Sequence, residues 1–224
     1  MQTFATPAPV SAVLDIPAGR IQFIAADRAD TAVDIRPADA SKNRDVQAAE
    51  RTTVAYADGV LRIEAAPVRN PVLGRASGAV EVTVRLPAGS RVEAKAAAAD
   101  FRGVGRLGDV AFDGAQGTVK LDETANARIG LLDGGISVGR LGGSAEISTQ
   151  KGDIRVAEAL HGTVVLRTQL GEVSIGAARG VSASLDAGTG YGRIHNSLKN
   201  ADGADAGLAI HATTAHGDIT ARGL

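Results

Sequence analysis

The sequence predicts an all-β protein folded as a β-solenoid, a stack of short strands wound around one thin core. Three observations lead to this prediction. Apolar residues pair at i and i+2 and recur about every nine residues between positions 92 and 194, glycine is concentrated in the same stretch, and aromatic residues make up only 3% of the chain. Residues i and i+2 lie on one face of a strand, so each pair supplies the inward side of one short strand.

The repeat can be followed pair by pair along the chain. The inward pairs are Val92/Ala94, Phe101/Gly103, Val110/Phe112, Val119/Leu121, Ala127/Ile129, Ile136/Val138, Ala145/Ile147, Ile154/Val156, Val164/Leu166, Val173/Ile175 and Ala183/Leu185, and Ile194 closes the series. The residues between and beside them are nearly all polar, with Ala111 and Val165 as exceptions: Lys120, Asp122, Arg128, Ser137, Glu146, Ser148, Arg155, Thr163, Arg167, Glu172, Ser174, Ser182, Ser184 and Arg193. The alternation therefore predicts which side chains point inward and which point outward.

Glycine and simple energetics explain why such units must stack. Of the 28 glycines, 19 lie between Gly103 and Gly192, often directly before a strand, where a corner favours a residue without a Cβ. One unit buries two medium apolar side chains, worth roughly 3–6 kcal/mol, whereas ordering its backbone costs roughly 9–18 kcal/mol. A unit is stable only between copies of itself. The spacing favours coils of about 18–19 residues with two faces, and a three-faced coil of about 27 residues stays open.

The flanking regions are less regular and are predicted to cap the solenoid. Residues 1–90 contain alternating segments around 21–23, 33–35, 60–63 and 80–86, separated by Pro37, Gly59, Pro67, Pro71 and Pro87. Residues 42–51 favour a short helix, with Ser41 or Asp39 as its N-cap. We predict an N-terminal β-rich cap over 1–90, solenoid repeats over 91–196 and a C-terminal cap over 197–224, because exposed coil ends need a cover.

The composition and the N-terminal sequence argue against several classes of function. The formal net charge is −1, which argues against a nucleic-acid partner. The absence of cysteine excludes disulfides and thiolate metal sites. The first 19 residues carry no Lys or Arg and are interrupted by Pro7, Pro9 and Pro17, so they do not predict a secretory signal, and no apolar run is long enough to span a bilayer. These features predict a cytoplasmic protein; a surface location would require a trimmed leader or another export route.

Two glycine motifs have structural explanations. Gly103-Val-Gly-Arg-Leu-Gly108 matches a dinucleotide-binding pattern, but a further strand follows it where that site needs a helix. Gly135-Ile-Ser-Val-Gly139 matches a hydrolase nucleophile elbow, but Ser137 stands between two inward residues in mid-strand. Both are predicted to be parts of the solenoid.

Neither a catalytic site, a cofactor site nor a metal site is predicted. His161 and His195 are isolated, and the five-residue spacing of His211 and His216 sends them to opposite faces of a strand, where they cannot form a zinc pair. Asp109, Asp153 and Asp218 recur too sparsely for a calcium-binding β-roll. Outward columns containing Lys120, Glu146, Arg155, Arg167 and Glu172 remain the place where a binding surface could lie, although Tyr56 and Tyr191 alone do not form a sugar-stacking platform.

A family resemblance accompanies these patterns. The segments GGISVGRLGGSAEIST (134–149), KGDIRVAEALHGTVVLRT (151–168), LGEVSIGAARGVSASLDAGTGYGRI (170–194), LDIPAGRIQFIAADRADTAVDIRP (14–37) and VEVTVRLPAGSRVEAKAAAAD (80–100) resemble a bacterial "putative adhesin" family of β-strand repeats, a domain of unknown function. The resemblance implies a β-helical fold and an adhesin-like role, and it brings no catalytic residues.

Three functional hypotheses follow from the sequence. The first is a non-catalytic structural or adhesin-like module that binds a protein or glycan partner through its polar faces. The second is an intracellular scaffold that self-associates end to end through the solenoid ends. The third is a polysaccharide-acting enzyme, which would need a carboxylate cluster on one face. The sequence favours the first, and identifies neither the partner nor the oligomeric state.

Overall fold

The computed structural model describes residues 1–65 and 78–224, so Pro67 and Pro71 lie outside the described residues. The described chain forms seventeen strands, one α-helix and a short 3₁₀ turn at Gly203–Asp205. The elements are β1 Gln2–Ala5, β2 Ser11–Ala26, β3 Asp30–Pro37, α1 Asn43–Arg51, β4 Thr52–Ala57, β5 Val60–Ala65, β6 Val80–Pro87, β7 Arg91–Gln116, β8 Val119–Asp133, β9 Ile136–Leu141, β10 Ala145–Lys151, β11 Ile154–Ala159, β12 Gly162–Leu170, β13 Val173–Ala177, β14 Ala183–Tyr191, β15 Ile194–Ser197, β16 Leu208–His216 and β17 Ile219–Gly223.

The central strands form a two-faced solenoid, as the nine-residue repeat predicts. Face A contains the second half of β8 followed by β10 and β12, and face B contains the first half of β8 followed by β9, β11 and β13. All these pairs are parallel. Ala127 lies beside Ala145, and Ala145 beside Val164, so one coil takes 18 or 19 residues. The prediction of a β-solenoid with two strands per coil is confirmed.

Burial follows the predicted inward pairs through the middle of the stack. Ile147, Ile154, Val164 and Leu166 each expose 0% of their surface. The pattern changes at the last predicted pair, where Leu185 is only half-buried and Ile194 is 44% exposed. Ile194 is therefore not an enclosed core residue, because the described chain places no further coil above it.

A column of glycines keeps the corners of successive coils in line. Gly134, Gly152 and Gly171 have φ values of 144°, 141° and 152°, which residues with a side chain rarely adopt. A Cβ on Gly152 would lie 2.2 Å from the carbonyl oxygen of Gly134, and one on Gly171 would lie 2.1 Å from that of Gly152. Close stacking of the backbone therefore requires glycine at this corner.

The N-terminal region mixes parallel and antiparallel pairing. β2 spans both faces and pairs in parallel with β5, β6 and β7. β4 pairs antiparallel with β5, β3 pairs antiparallel with β6, and β1 pairs antiparallel with β3. Helix α1 packs against β3, β4, β5 and β6 and directs Ala48 and Ala49 toward the core.

The helix begins within the predicted segment but with a different cap. Its N-cap is Lys42, which makes no side-chain capping bond, so the prediction of Ser41 or Asp39 was wrong. The carboxylate of Asp39 accepts hydrogen bonds from the amide and hydroxyl of Ser41 at 3.0 and 2.6 Å. Both side chains are therefore used in the turn that precedes the helix.

The C-terminal strands do not stack in chain order. β16 lies between β12 and β14, with Ile210 beside both Val164 and Leu185, and β17 lies between β13 and β15. The coil of β14 and β15 is therefore the outermost layer, and the chain returns through residues 198–207 to fill the layer inside it. The division into segments 1–90, 91–196 and 197–224 stays a prediction, since strands from all three belong to one open sheet.

Candidate binding surface

A shallow groove crosses the outward side of face A. It consists of two adjoining depressions of about 810 and about 600 Å³, which share Asp113, Gly130 and Ser148. Its walls come from β7, β8, β10 and β12, so four neighbouring strands contribute. Strands in a sheet lie about 4.8 Å apart, which brings side chains from successive coils into rows across the groove. We call this surface the face A groove.

The centre of the face A groove carries three interacting charges. Glu146 on β10 lies beside Arg128 on β8, with Arg128 Nε 3.9 Å from Glu146 Oε2. Arg167 on β12 approaches the other carboxylate oxygen, with Nη1 3.6 Å from Oε1. The two arginine side chains are 83% and 61% exposed. Such exposed ion pairs add little to stability, so their guanidinium groups remain available to carboxylate, phosphate or hydroxyl groups of a partner.

The five column residues predicted from the sequence are divided between the faces. Glu146 and Arg167 meet on face A, whereas Lys120 and Arg155 belong to one row on face B, where Ser137 separates them. Glu172 lies at a corner, and its amide donates a hydrogen bond to the carboxylate of Asp153 at 2.8 Å. Of the five, only Glu146 and Arg167 therefore come together, and they do so on face A with Arg128.

The first glycine motif lies inside a strand, and the second begins one residue before a strand. Residues 103–108 belong to β7, with a positive φ of 78° at Gly105, where the pairing of β7 with β8 shifts register. A Cβ on Gly105 would lie 2.2 Å from the carbonyl oxygen of Ala25, which explains the glycine. Ser137 belongs to β9, between the buried residues Ile136 and Val138.

The four histidines lie apart from the face A groove. His161 and His195 are exposed. His211 lies 3.3 Å from the carboxylate of Asp186, and the ring of His216 stacks on Tyr191 with centroids 4.8 Å apart. Both His211 and His216 are exposed, so the prediction of opposite faces was wrong: the alternation of buried and exposed residues ends within β16, whose last two residues, Ala215 and His216, are both exposed.

Shifted carboxyl pKa values occur at the N-terminal end of the molecule. The hydroxyl of Ser41, with Lys42 beside it, lowers the pKa of Asp39 to about 2. A hydrogen bond from Arg28 lowers the pKa of Asp30 below its ordinary value. Neither residue borders the face A groove.

Within 1–65 and 78–224, His, Asp and Glu side chains form no group of three that could hold a metal ion. Over the same residues, there is no helix whose length and apolar character would let it cross a membrane.

Sequence reasoning missed a row of threonines, three of them buried and one half-buried, that support the stack. The hydroxyls of Thr149, Thr168, Thr214 and Thr189 donate to the carbonyls of Gly134, Gly152, Gly171 and Gly217, respectively, at 2.9–3.3 Å. A shared pattern, threonine three residues before a corner glycine, could have revealed them: TQKG, TQLG, TAHG and TGYG. These bonds also show which coil lies beneath which, because each threonine donates to the corner glycine of the layer directly beneath its own.

Comparison with known proteins places the chain among Toastrack proteins. A family model described as Toastrack DUF4097 matches residues 11–222. A comparison with curated proteins finds no match. Among solved structures, a "putative adhesin" from Bacteroides fragilis aligns with a TM-score of 0.58 at 13% identity, over 98% of this chain and 95% of that one.

Two further solved structures are more distant in shape. A "putative lipid binding protein" from Parabacteroides distasonis has a TM-score of 0.48 at 13% identity, over 98% of this chain and 95% of that one. A "putative cell adhesion protein" from Clostridium sporogenes has a TM-score of 0.41 at 13% identity, over 100% and 98%. The family resemblance found in the sequence is confirmed by the match over residues 11–222, and the chain belongs to the Toastrack DUF4097 family.

Proposed function

We propose that this protein is a non-catalytic, adhesin-like binding module that holds a protein or glycan partner in the face A groove. The observation that carries the proposal is the exposed group of Arg128, Glu146 and Arg167 at the centre of a groove built from four strands. The Bacteroides fragilis neighbour with the same fold is named a putative adhesin, which agrees with this role.

The groove residues stand on a regular stack of strands, and such a preformed surface favours a role in binding. Each groove residue stands on a strand whose neighbours above and below hold it in register. A partner that binds along the groove meets side chains at a regular spacing of about 4.8 Å from strand to strand. Preformed surfaces of this kind lose little conformational freedom on binding, which favours affinity.

The charged side chains of the face A groove indicate which groups of a partner it would bind. Arginine offers a planar set of five donors that fits carboxylates and also bonds to hydroxyl groups. Glu146 accepts bonds from amines and hydroxyls, and Leu132, which is 50% exposed at the side of the groove, offers an apolar contact. Both an extended peptide of mixed charge and an acidic glycan present complementary groups.

The enzyme hypothesis has less support from this surface. A glycoside hydrolase requires two carboxyl groups that flank one bond, one of which donates a proton. Glu146 lies instead between two guanidinium groups, an arrangement suited to ionic recognition. We therefore assign Glu146 to ionic contact with a partner and not to a catalytic pair.

Binding of the purified protein to a glycan array and to whole bacterial and host cells tests the proposal. We expect binding on at least one of these surfaces, and a loss of about tenfold or more in affinity for the double variant Arg128→Glu, Arg167→Glu, because arginines often dominate binding energy. Arg155→Glu, on the exposed row of face B, is the matched control and should bind normally.

Two results would contradict the proposal. Absence of binding to every glycan and every cell type would exclude the adhesin-like role. Equal loss of binding in the face A and face B variants would show that the partner does not use the groove.

A further inference from the structure

Side chains on the outward side of face A form rows across four neighbouring layers. The layers are residues 109–116 of β7, residues 126–133 of β8, then β10 and β12. Parallel pairing in a fixed register sets residues of successive layers side by side, about 4.8 Å apart. The first row contains Ala111, Arg128, Glu146 and Val165, and the second row contains Asp113, Gly130, Ser148 and Arg167.

The first row is complementary to a reversed copy of itself. Layer by layer, its side chains are apolar, basic, acidic and apolar. When the order of the layers is reversed, Arg128 lies opposite Glu146 and Glu146 lies opposite Arg128. Ala111 then lies opposite Val165, and these two are the apolar exceptions among the outward residues between the inward pairs. In this row, reversal therefore sets opposite charges against each other and apolar side chains against each other.

The second row has the same property. Its order is acidic, small, small and basic, so reversal sets Asp113 opposite Arg167. Asp113 is exposed and forms no ion pair within the part of the chain that the structure describes. Gly130 and Ser148 lie where the two depressions of the groove meet. Both are small, which leaves room there for the long side chain of Arg128 from an opposing copy.

A two-fold axis can produce this reversal. The axis lies in the plane of the contact, parallel to the strands and between β8 and β10. It reverses the order of the layers and keeps each position along the strand, so residues of one row meet residues of the same row. Sheets that pack face to face keep their strands aligned within about 30°, and both copies have the same layer spacing of about 4.8 Å. The contact is isologous and closes as a dimer.

The ion pairs within each chain are retained in this contact. The side chains of Arg128, Glu146 and Arg167 are 83%, 54% and 61% exposed, so all three can also face a second copy. Around the axis, two Arg128 and two Glu146 side chains alternate, and each charge has two neighbours of opposite sign. The pairs within a chain and the pairs between chains therefore reinforce each other.

We propose that the face A groove binds the face A groove of a second copy of this chain, with the layers in reverse order. The inference rests on the proposed function, because it names the protein partner of the same groove as another copy of the chain. The two rows supply Arg128–Glu146 and Asp113–Arg167 pairs between the copies, each formed twice. Any other ligand of the groove competes with this dimer.

Sedimentation of the full chain over a concentration series tests this proposal. We expect a reversible dimer that does not grow into larger species. Arg128→Glu and Glu146→Arg should each weaken dimerisation about tenfold or more, because each sets like charges against each other twice in the dimer. An equimolar mixture of the two variants should dimerise about as strongly as the natural chain, because the altered charges are then opposite in sign across the contact.

Two further variants locate the contact. Asp113→Lys changes an exposed side chain and sets a positive charge against Arg167 of the second copy, so dimerisation should weaken several-fold. Arg155→Glu, on the exposed row of face B, is the matched control, and its dimer should persist unchanged.

Several results would overturn the proposal: a monomer at all concentrations, growth into filaments, a dimer that survives Asp113→Lys unchanged, or a mixture of Arg128→Glu and Glu146→Arg that stays monomeric. Loss of the dimer in Arg155→Glu would do so too, because it would place the contact on face B. The outcome is separable from the binding assays of the proposed function. Binding of glycans or cells by a chain that stays monomeric would contradict this inference alone, and a dimer that binds neither would contradict only the proposed binding of glycans and cells.

Discussion

The middle of the solenoid and its C-terminal end are built from the same repeat but are assembled differently. From β8 to β13, each coil lies on the coil that precedes it in the chain. After β13 the chain omits one layer, forms the outermost coil, and returns to fill the omitted layer with β16 and β17. The difference shows that a repeat sets the shape and height of a coil, whereas the connecting segments decide which coils become neighbours.

The largest expected effect comes from a buried charge in the inserted layer. Ile210 is 1% exposed and lies between Val164 and Leu185, so Ile210→Asp should lower the free energy of unfolding by about 4 kcal/mol. Leu185→Asp, in the half-buried outermost coil, should cost about 2 kcal/mol. Urea unfolding measures both. A larger loss for Leu185→Asp would mean that the layers are in the reverse order.

Alanine in the glycine column should be the next most damaging change. Gly152→Ala places a Cβ 2.2 Å from the carbonyl oxygen of Gly134 at a φ of 141°, for an expected loss of about 3 kcal/mol. Gly188→Ala, in the outermost coil, has open space around the new Cβ and should change stability by less than about 0.5 kcal/mol. Thermal melting compares the pair. Similar melting temperatures would show that close stacking does not require the corner glycine.

A smaller effect tests the threonine row of the inserted layer. Thr214 is 5% exposed and donates to the carbonyl of Gly171 at 3.0 Å, so Thr214→Val should cost about 1 kcal/mol. Its neighbour Thr213 is exposed, and Thr213→Val should be close to neutral. Chemical denaturation of the two variants gives the difference. No difference would indicate that Thr214 does not bond to the β12–β13 coil.

The smallest effect concerns the N-terminal end, away from both regions. The pKa of Asp39 is held at about 2, below its ordinary value of 3.8, because Ser41 and Lys42 stabilise the carboxylate. The resulting stabilisation is present above pH 4 or so and is lost as the pH falls through about 2. Titration followed by NMR should give this midpoint, and Ser41→Ala should raise it. A midpoint near 3.8 in the unaltered protein would contradict the turn geometry before α1.

The local alternation of apolar and polar residues in the sequence predicted most of the fold. Alternation alone identified the inward residues from Val119 to Ile175, because a strand that is buried on one side must alternate. The helix was predicted from its helix-forming residues, but its cap was not, because Asp39 bonds to the turn before it. The charged group on face A was predicted as separate outward residues, and its assembly depends on a register that only the stacked strands provide.

The order of the last coils could not be predicted from periodicity. The pattern of threonine three residues before glycine occurs in TQLG, TAHG and TGYG alike, so the coil of β12 and β13 has two possible neighbours with matching side chains. Local preference does not distinguish between them. The linker 198–207 and the lengths of the flanking turns decide, and these are long-range effects that no nine-residue window contains.

Cross-linking with paired cysteines tests the inserted layer most directly, because the natural chain contains no cysteine. Neighbouring strands lie about 4.8 Å apart and alternate ones about 9.6 Å, while a disulfide requires Cα atoms within about 7 Å. Thr213 lies beside both Arg167 and Gly188. Oxidation should therefore join cysteines at 167 and 213, and cysteines at 213 and 188, but not cysteines at 167 and 188. Efficient cross-linking of 167 to 188 would show that the coils stack in chain order.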